Sequence, residues 1–182
     1  MSRSTITGPP TTTGPPSPVA TERTTVHTVH LSPLGPLTLM ARHGCLTHVV
    51  MEDQAHAAAP PPASQRDDRA FAEMVQQLDE YFVGTRTDFD VPVELDGTEF
   101  QMKVWAQLRA IPYGQTISYG ELARRVGSPQ AYRAVGTANG HNPLAVVIPC
   151  HRVIAGDGSL GGYGGGLDRK RWLLALEAAH RG

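Results

Sequence analysis

The 182-residue sequence predicts an α+β fold in two parts: a small α/β unit over residues 25–96 and a mainly helical unit over residues 97–182. Three observations carry this. Short β-like runs separated by turn residues fill the chain up to about residue 51; apolar stripes at the helical period follow; and the charge balance changes near Thr98. Hydrophobic residues make up 40% and charged residues 18%, which suits a packed core. No apolar run is long enough for a membrane helix and no apolar leader opens the chain, so a cytoplasmic location is expected. In that compartment the two cysteines, Cys45 and Cys150, stay reduced.

Residues 1–24, with Gly8-Pro9-Pro10 and Gly14-Pro15-Pro16, cannot bury a core and are expected to be a disordered tail. Residues 25–31 are rich in β-branched side chains, Leu37, Leu39 and Ala41 alternate, and residues 46–51 are mostly apolar. With turns at residues 33–36 and at His43-Gly44, these read as two or three antiparallel strands. Residues 55–64, holding Pro60-Pro61-Pro62, read as a loop. Phe71, Met74, Val75, Leu78, Tyr81 and Phe82 keep the helical period until Gly84 stops it, and Val91-Pro92-Val93 suits an edge strand.

In the second part, Phe100, Val104, Trp105 and Leu108 form a helical stripe that Pro112-Tyr113-Gly114 ends. Ser118 caps a helix over residues 119–126, with Glu121 placed for a capping box. Gly127-Ser128-Pro129 turns the chain into another helix over residues 130–139, the outline of a helix-turn-helix. That last helix carries Ala131, Ala134, Gly136, Ala138 and Gly140, small enough to let its backbone approach either DNA or another helix. From Thr98 onward ten Lys and Arg stand against five Asp and Glu, while the preceding residues hold six against twelve, although the net charge is −1. The basic part could meet a polyanion, or the unevenness could be chance.

Asn142-Pro143 opens an apolar run over residues 144–148, a buried strand or extended segment that delivers Pro149-Cys150-His151-Arg152-Val153. A free thiol with a pKa of ~8.5 is only about 3% thiolate at neutral pH, so a nucleophilic cysteine needs a base or a positive field beside it. Cys150 has His151 and Arg152 next in sequence; Cys45 has no such neighbours. The residues alone leave Cys150 as either a nucleophile or a buried structural thiol. Gly161-Gly162-Tyr163-Gly164-Gly165-Gly166 then forms a loop whose backbone can approach a flat ligand, without the Gly-Lys-Ser/Thr ending of a phosphate-binding loop. Asp168 caps a last helix with Trp172, Leu173, Leu176 and Ala179 as its stripe. Glu177 sits at the edge of that stripe, either paired with a buried group such as a histidine or solvated at the helix end.

Taken together, Pro149-Cys150-His151-Arg152-Val153, the upstream Asn142-Pro143 and the downstream Tyr163 glycine loop resemble the O6-alkylguanine-DNA alkyltransferases, over about residues 31–177. The resemblance implies a ribonuclease-H-like α/β domain followed by a helical domain with a winged helix-turn-helix. It implies that Cys150 accepts the alkyl group once and irreversibly, that His151 acts as base through a water, and that Glu177 orients His151. Asn142 would be the hinge residue and Tyr163 a donor to the base; Lys170 and Val153 would lie at the pocket with Tyr119, Ala145, Tyr163 and Gly164. Arg133 would enter the base stack as the guanine flips out, Tyr119 would crowd the target phosphate, and Ala131, Ala134 and Gly136 would lie in the minor groove. The implied partner is double-stranded DNA with an O6-alkylguanine, and O4-alkylthymine as a second substrate. A monomer acts on it, without membrane or cofactor.

Two departures bear on the pocket. Gly164 stands where some relatives carry serine, and Ala145 where some carry proline, which bears on the size of alkyl group accepted. His43, Cys45 and His48 cluster, but their spacing does not make a four-ligand zinc site, so no metal is expected. Two other classes compete. A non-catalytic binder of alkylated DNA would lack the cysteine, which is present here. A Cys-His hydrolase would need an oxyanion hole and turnover, and would release its acyl group instead of gaining mass.

Overall fold

The computed structural model describes residues 24–180. The tail expected over residues 1–24 therefore lies outside the described residues, apart from Thr24. Three antiparallel strands open the fold, β1 (Thr25–Ser32), β2 (Gly35–Arg42) and β3 (Cys45–Met51). The two-residue β2–β3 turn, His43-Gly44, has φ of 54° and 76°; such hairpins need positive φ at both central residues. A two-residue strand, β4 (Gln65–Arg66), pairs parallel to β1 and gives the sheet order β3-β2-β1-β4. A 3-10 turn at Asp68–Phe71 leads into α1 (Ala72–Phe82), whose inner face of Met74, Leu78 and Tyr81 joins Leu37, Leu39 and Val49 of the sheet in the core.

The expected edge strand at residues 91–93 is a single parallel bridge of Val93 to Leu46. Pro92 has no N–H for a ladder, so its carbonyl accepts from Leu46 N (2.8 Å) and Glu94 N donates to Leu46 O (2.9 Å). Helix α2 (Glu99–Arg109) starts at a full capping box, with Thr98 accepting from Gln101 N and the Gln101 side chain accepting from Thr98 N. The box expected at Ser118 is only half formed. Ser118 accepts from Glu121 N (3.1 Å), but the Glu121 carboxylate turns to Arg124 and Arg125 instead of reaching back.

The helix-turn-helix is α3 (Tyr119–Arg125) and α4 (Tyr132–Gly140). Trp105 of α2 donates its indole N–H to Ala138 O (2.9 Å), which fixes α4 against α2. A short parallel pair, β5 (Ile117–Ser118) with β6 (Val153–Ile154), ties the start of α3 to the residues just after Cys150.

Residues 144–148 are buried, Val147 only partly, but not extended. Leu144 alone bridges Val49; the chain then folds into a turn, Ile148 N donating to Leu144 O (2.8 Å), with Val146 in the left-handed region at φ 70°. A β-branched residue there is strained, at a cost of ~1–3 kcal/mol. The Asn142 side chain closes this turn from within.

Asp168 does not cap the last helix, α5 (Leu167–Ala179). Gly166 (φ 91°) holds the cap position, and Asp168 in the first turn pairs with Arg171 (2.7 Å). The buried face of α5 is also not the expected apolar stripe: Lys170, Leu173 and Glu177 are buried, whereas Trp172 and Leu176 are partly covered and Ala179 is exposed. Two polar groups on a helix's inner face need partners there, and these two organise the site.

One hydrophobic core runs through both parts, from Leu37 and Tyr81 to Trp105, Leu144 and Leu173. The outer edge of β3 joins them by backbone: Val49 N donates to Pro143 O (2.9 Å) and Ala145 N donates to Val49 O (3.0 Å). The first part thus holds the segment that carries the reactive residues.

Candidate active site

Cys150 begins a 3-10 turn, Cys150–Arg152, at the floor of a cavity of ≈ 270 Å³ walled by Tyr119, Asn142, Ala145, Tyr163 and Gly164. That lies below the ~300–1,000 Å³ of drug-sized sites, which suits a single flat group of nucleobase size. The thiol is buried, and burial pushes its pKa up, since a charged sulfur is poorly solvated there. The Asn142 amide, donating to Sγ at 3.1 Å, and the Lys170 charge oppose that rise without cancelling it. At rest the group is therefore a thiol, and it needs a base to become a nucleophile.

Asn142 is the keystone of the turn. Its Nδ2 also donates to Ile148 O (2.7 Å), and its Oδ1 accepts from Leu144 N (3.0 Å). Asn142, expected as the hinge residue, thus also makes a direct contact to sulfur.

His151 is fully buried, with Nε2 2.8 Å from Glu177 Oε1. A carboxylate can only accept, so Nε2 carries the hydrogen and Nδ1 keeps its lone pair. Nδ1 is buried without a hydrogen-bond partner among the described residues. Burial pushes the His151 pKa down, outweighing the pull of Glu177, so the ring is neutral and can accept a proton.

Glu177 itself is saturated with donors. Tyr81 Oη donates to Oε1 (2.6 Å), Gly114 N donates to Oε2 (2.8 Å), and Arg152 forks across both oxygens from Nε and Nη2 at 2.9–3.1 Å. Burial pushes its pKa up, but the hydrogen bonds from His151 and Arg152 and the Arg152 charge prevail and take it from 4.5 down to about 2. Of the two readings of Glu177, the structure selects the buried, paired one.

Tyr119 and Tyr163 flank the mouth and wall. Tyr119 Oη donates to Gly162 O (3.2 Å), and its ring lies so close to the glycine loop that a Cβ on Gly161, itself at φ 64°, would come within 3.0 Å of it. The Tyr163 hydroxyl is buried beside Cys150 and lacks a hydrogen-bond partner among the described residues. Burial holds its pKa high, and a thiolate at Cys150 would raise it further, so it remains a phenol able to donate.

Two residues expected at the pocket are not in its wall. Lys170 is buried behind the glycine loop, where Nζ donates to Val153 O (2.6 Å), Leu160 O and Gly162 O (3.3 Å). It braces the loop from the rear, and burial takes its pKa down to about 8. Val153 is fully buried in the β5–β6 pair, facing the core instead of the cavity. Ala145 and Gly164 do line the cavity, as expected, and Gly136, expected only at the minor-groove face, lines it too.

On the outer side of α4, Arg133 is exposed, its guanidinium 5.8 Å from the Tyr132 ring centre, and Ala134 is exposed beside it. Ala131 is half-buried at the helix start and Ala138 packs inward. The small residues of α4 therefore divide between internal packing and an open surface.

Sequence reasoning missed the first part's share in the site. Tyr81 belonged to an apolar helical stripe and gave no polar signal, yet its hydroxyl reaches the Glu177 carboxylate. Gln54, Ala55 and His56 wall the cavity from the loop after β3, with Ala55 N donating to Gly164 O (2.9 Å). Arg152 stood inside the conspicuous pentapeptide and was legible only as a neighbour of Cys150.

Comparison with known proteins agrees with this arrangement. Residues 25–95 match the family model for the ribonuclease-like domain of 6-O-methylguanine DNA methyltransferase, and residues 99–179 match the model for its DNA-binding domain. A methylated-DNA–protein-cysteine methyltransferase of Mycolicibacterium paratuberculosis is 54% identical over 149 residues, covering 82% of this chain and 90% of the relative. One from Methanosarcina acetivorans is 44% identical over 148 residues, covering 81% and 95%. The crystal structure of Mycobacterium tuberculosis OGT in complex with DNA superposes with a TM-score of 0.80 at 51% identity, over 85% of this chain and 94% of that one. On these matches to both halves, the chain belongs to the 6-O-methylguanine DNA methyltransferase family.

Proposed function

We propose that this protein repairs double-stranded DNA by moving the alkyl group of O6-alkylguanine, foremost O6-methylguanine, onto its own Cys150, once per molecule. The observation that carries this is Cys150 Sγ on the floor of a base-sized cavity, touched by Asn142 and next to a neutral His151 held by Glu177. Guanine O6 lies inside the duplex, so the nucleotide is flipped out into the cavity. Arg133 fills the vacated stack, Tyr119 crowds the target phosphate, and Ala131, Ala134 and Gly136 allow the close minor-groove approach. O4-alkylthymine is a second substrate of the same pocket.

The thiol proton passes through a water to His151 Nδ1, Asn142 steadies the resulting thiolate, and the sulfur attacks the alkyl carbon. The S–C bond forms as the C–O6 bond breaks, and Tyr163 gives its proton to the departing guanine. The proton on His151 restores Tyr163 once the base has left, so the net change is thiol plus alkylguanine to thioether plus guanine. No group at the site reduces or hydrolyses a thioether, which makes the protein stoichiometric. We take residues 25–96 and 97–182 as its two domains, and the cytoplasm as the place where its thiol stays reduced.

The test is to incubate the protein with a duplex holding one O6-methylguanine, then record intact mass and map peptides. One methyl on the Cys150 peptide, and never more than one per chain, is expected. Bound DNA without added mass would mean a binder that does no chemistry.

A further inference from the structure

The relay residues above all belong to the second part of the chain, yet the shortest hydrogen bond to Glu177 comes from α1 of the first. We propose that Tyr81 is a positioning residue for alkyl transfer: its hydroxyl, together with the Arg152 fork, fixes the Glu177 carboxylate so that it orients His151 without charging it. The inference rests on the reading of Cys150 as alkyl acceptor and of His151 as its base.

The physical problem is specific to a buried His–Glu pair. A carboxylate 2.8 Å from an imidazole favours the imidazolium, and an imidazolium has no lone pair with which to take the thiol proton. Burial of His151 works the other way. What decides the balance is how much of the carboxylate's charge is left for the ring. Oε1, the oxygen facing His151, also accepts from Tyr81 Oη at 2.6 Å and from Arg152 Nη2 at 2.9 Å, while Oε2 accepts from Gly114 N and Arg152 Nε. Oε1 thus serves three residues, and His151 receives only part of its accepting power. The phenol is well held for this task. Tyr81 is fully buried, packs edge-on against Tyr113 at 5.9 Å and against Phe82 at 5.6 Å, and passes within 3.4 Å of His151 Nε2. Its pKa is pushed far above the usual tyrosine range, first by burial and then by the Glu177 charge, so it never competes as an acid.

The titratable and charged groups that face His151 are few. Glu177 and Lys170 reach it from α5, Tyr81 from α1, and Arg152 and Cys150 from its own segment; Tyr113 lies behind, under the Arg152 guanidinium at 5.6 Å. Of the groups that hydrogen-bond Glu177, Tyr81 is the one whose polar atom can be removed while ring, volume and net charge stay the same. Without it, Oε1 turns more fully to His151, the imidazolium gains, and the base is lost at a higher pH than in the wild-type protein.

The experiment compares full-length wild-type protein with Tyr81→Phe, reading the second-order rate of Cys150 alkylation by free O6-benzylguanine from pH 5 to 9, with urea midpoints at each pH. The expected result is an acid limb moved upward by roughly half a unit to one unit, with the rate above it within about threefold of wild type. Tyr113→Phe, which removes a buried hydroxyl that makes no hydrogen bond among the described residues, should leave the limb in place. A uniform fall in rate with an unmoved limb would show that Tyr81 only packs, and would overturn the proposal. Should Tyr81→Phe fail to fold, nitrogen chemical shifts of the His151 ring in the wild-type protein decide instead. A neutral ring with hydrogen on Nε2 at pH 7 is expected, and an imidazolium there would overturn the proposal. If wild-type Cys150 gains no benzyl group at any pH, the same profile is read with a duplex holding O6-methylguanine; no alkyl group gained from either substrate means that the acceptor reading itself fails, and the proposal falls with it.

Discussion

The two sides of Cys150 are built on opposite principles. Behind it, Glu177 accepts hydrogen bonds from four residues, Tyr81, Gly114, His151 and Arg152, and both carboxylate oxygens are fully used. In front of it, the Tyr163 hydroxyl is buried and makes no hydrogen bond among the described residues, in a cavity whose wall also holds Tyr119, small residues and the polar side chains of Gln54, His56 and Asn142. The Glu177 carboxylate is satisfied by the fold alone, whereas His151 Nδ1 and the Tyr163 hydroxyl are left without a partner among the described residues. Buried polar groups left unpaired in a folded chain mark either strain or a site that awaits a ligand. The rear should accordingly govern stability and protonation, and the front should govern what binds.

The sharpest way to break this division is at sulfur. Cys150→Ser should abolish transfer, as intact mass would show, while leaving the urea midpoint and duplex affinity near wild type. Transfer persisting near the wild-type rate would move the acceptor elsewhere. Glu177→Gln attacks the rear. It leaves the buried Arg152 fork facing a neutral amide, and removing one partner of a buried pair costs ~3–5 kcal/mol, readable as a lower urea midpoint. The pH dependence follows from the same group. Its pKa is lowered on folding, from 4.5 to about 2, so its contribution is present above about 4.5 and is lost as pH falls toward 2. Wild-type stability should drop through that window and the Gln variant should drop less. Equal slopes would place the acid sensitivity in other carboxylates.

A smaller effect is expected at the DNA face. Arg133→Ala should slow repair of duplex DNA about tenfold, equivalent to ~1.4 kcal/mol of the few kcal/mol that unstacking a base costs. Reaction with free O6-benzylguanine should not change, because no base has to leave a stack. Equal slowing on both substrates would remove Arg133 from flipping and return it to the fold.

How far the sequence discloses these two sides differs for the same physical reason. The hairpins, α1 and the helix-turn-helix repeat a local period or turn chemistry, and they stand close to where the sequence places them. The front residues Tyr163 and Gly164 stand in a distinctive glycine loop, and Ala145 is placed at the pocket by the family resemblance that the loop and the pentapeptide carry. The rear is assembled by long-range contact: Tyr81 and Glu177 are 96 residues apart, and nothing in an apolar helical stripe reveals that one hydroxyl will meet a carboxylate. The turn at residues 144–148 was hidden likewise, because five apolar residues look like a strand unless the Asn142 side chain is known to close them into a loop. Lys170 and Glu177 broke the expected stripe of α5 because a helix can bury charge when loop carbonyls and a guanidinium wait on the other side.

The smallest predicted effect tests whether the front wall is shaped or merely loose. Gly161 sits at φ 64°, where an L side chain is strained, and its Cβ would meet the Tyr119 ring at 3.0 Å. Gly161→Ala should therefore cost ~1–2 kcal/mol in urea unfolding from backbone handedness. It should also push Tyr119 off the Gly162 carbonyl that its hydroxyl now reaches. The ring lies in the cavity wall, so its displacement should slow alkylation by O6-benzylguanine as well as by duplex DNA, unlike the selective effect of Arg133→Ala. A variant as stable and as fast as wild type would mean that the glycine loop has room to move, and that Tyr119 does not set the width of the mouth.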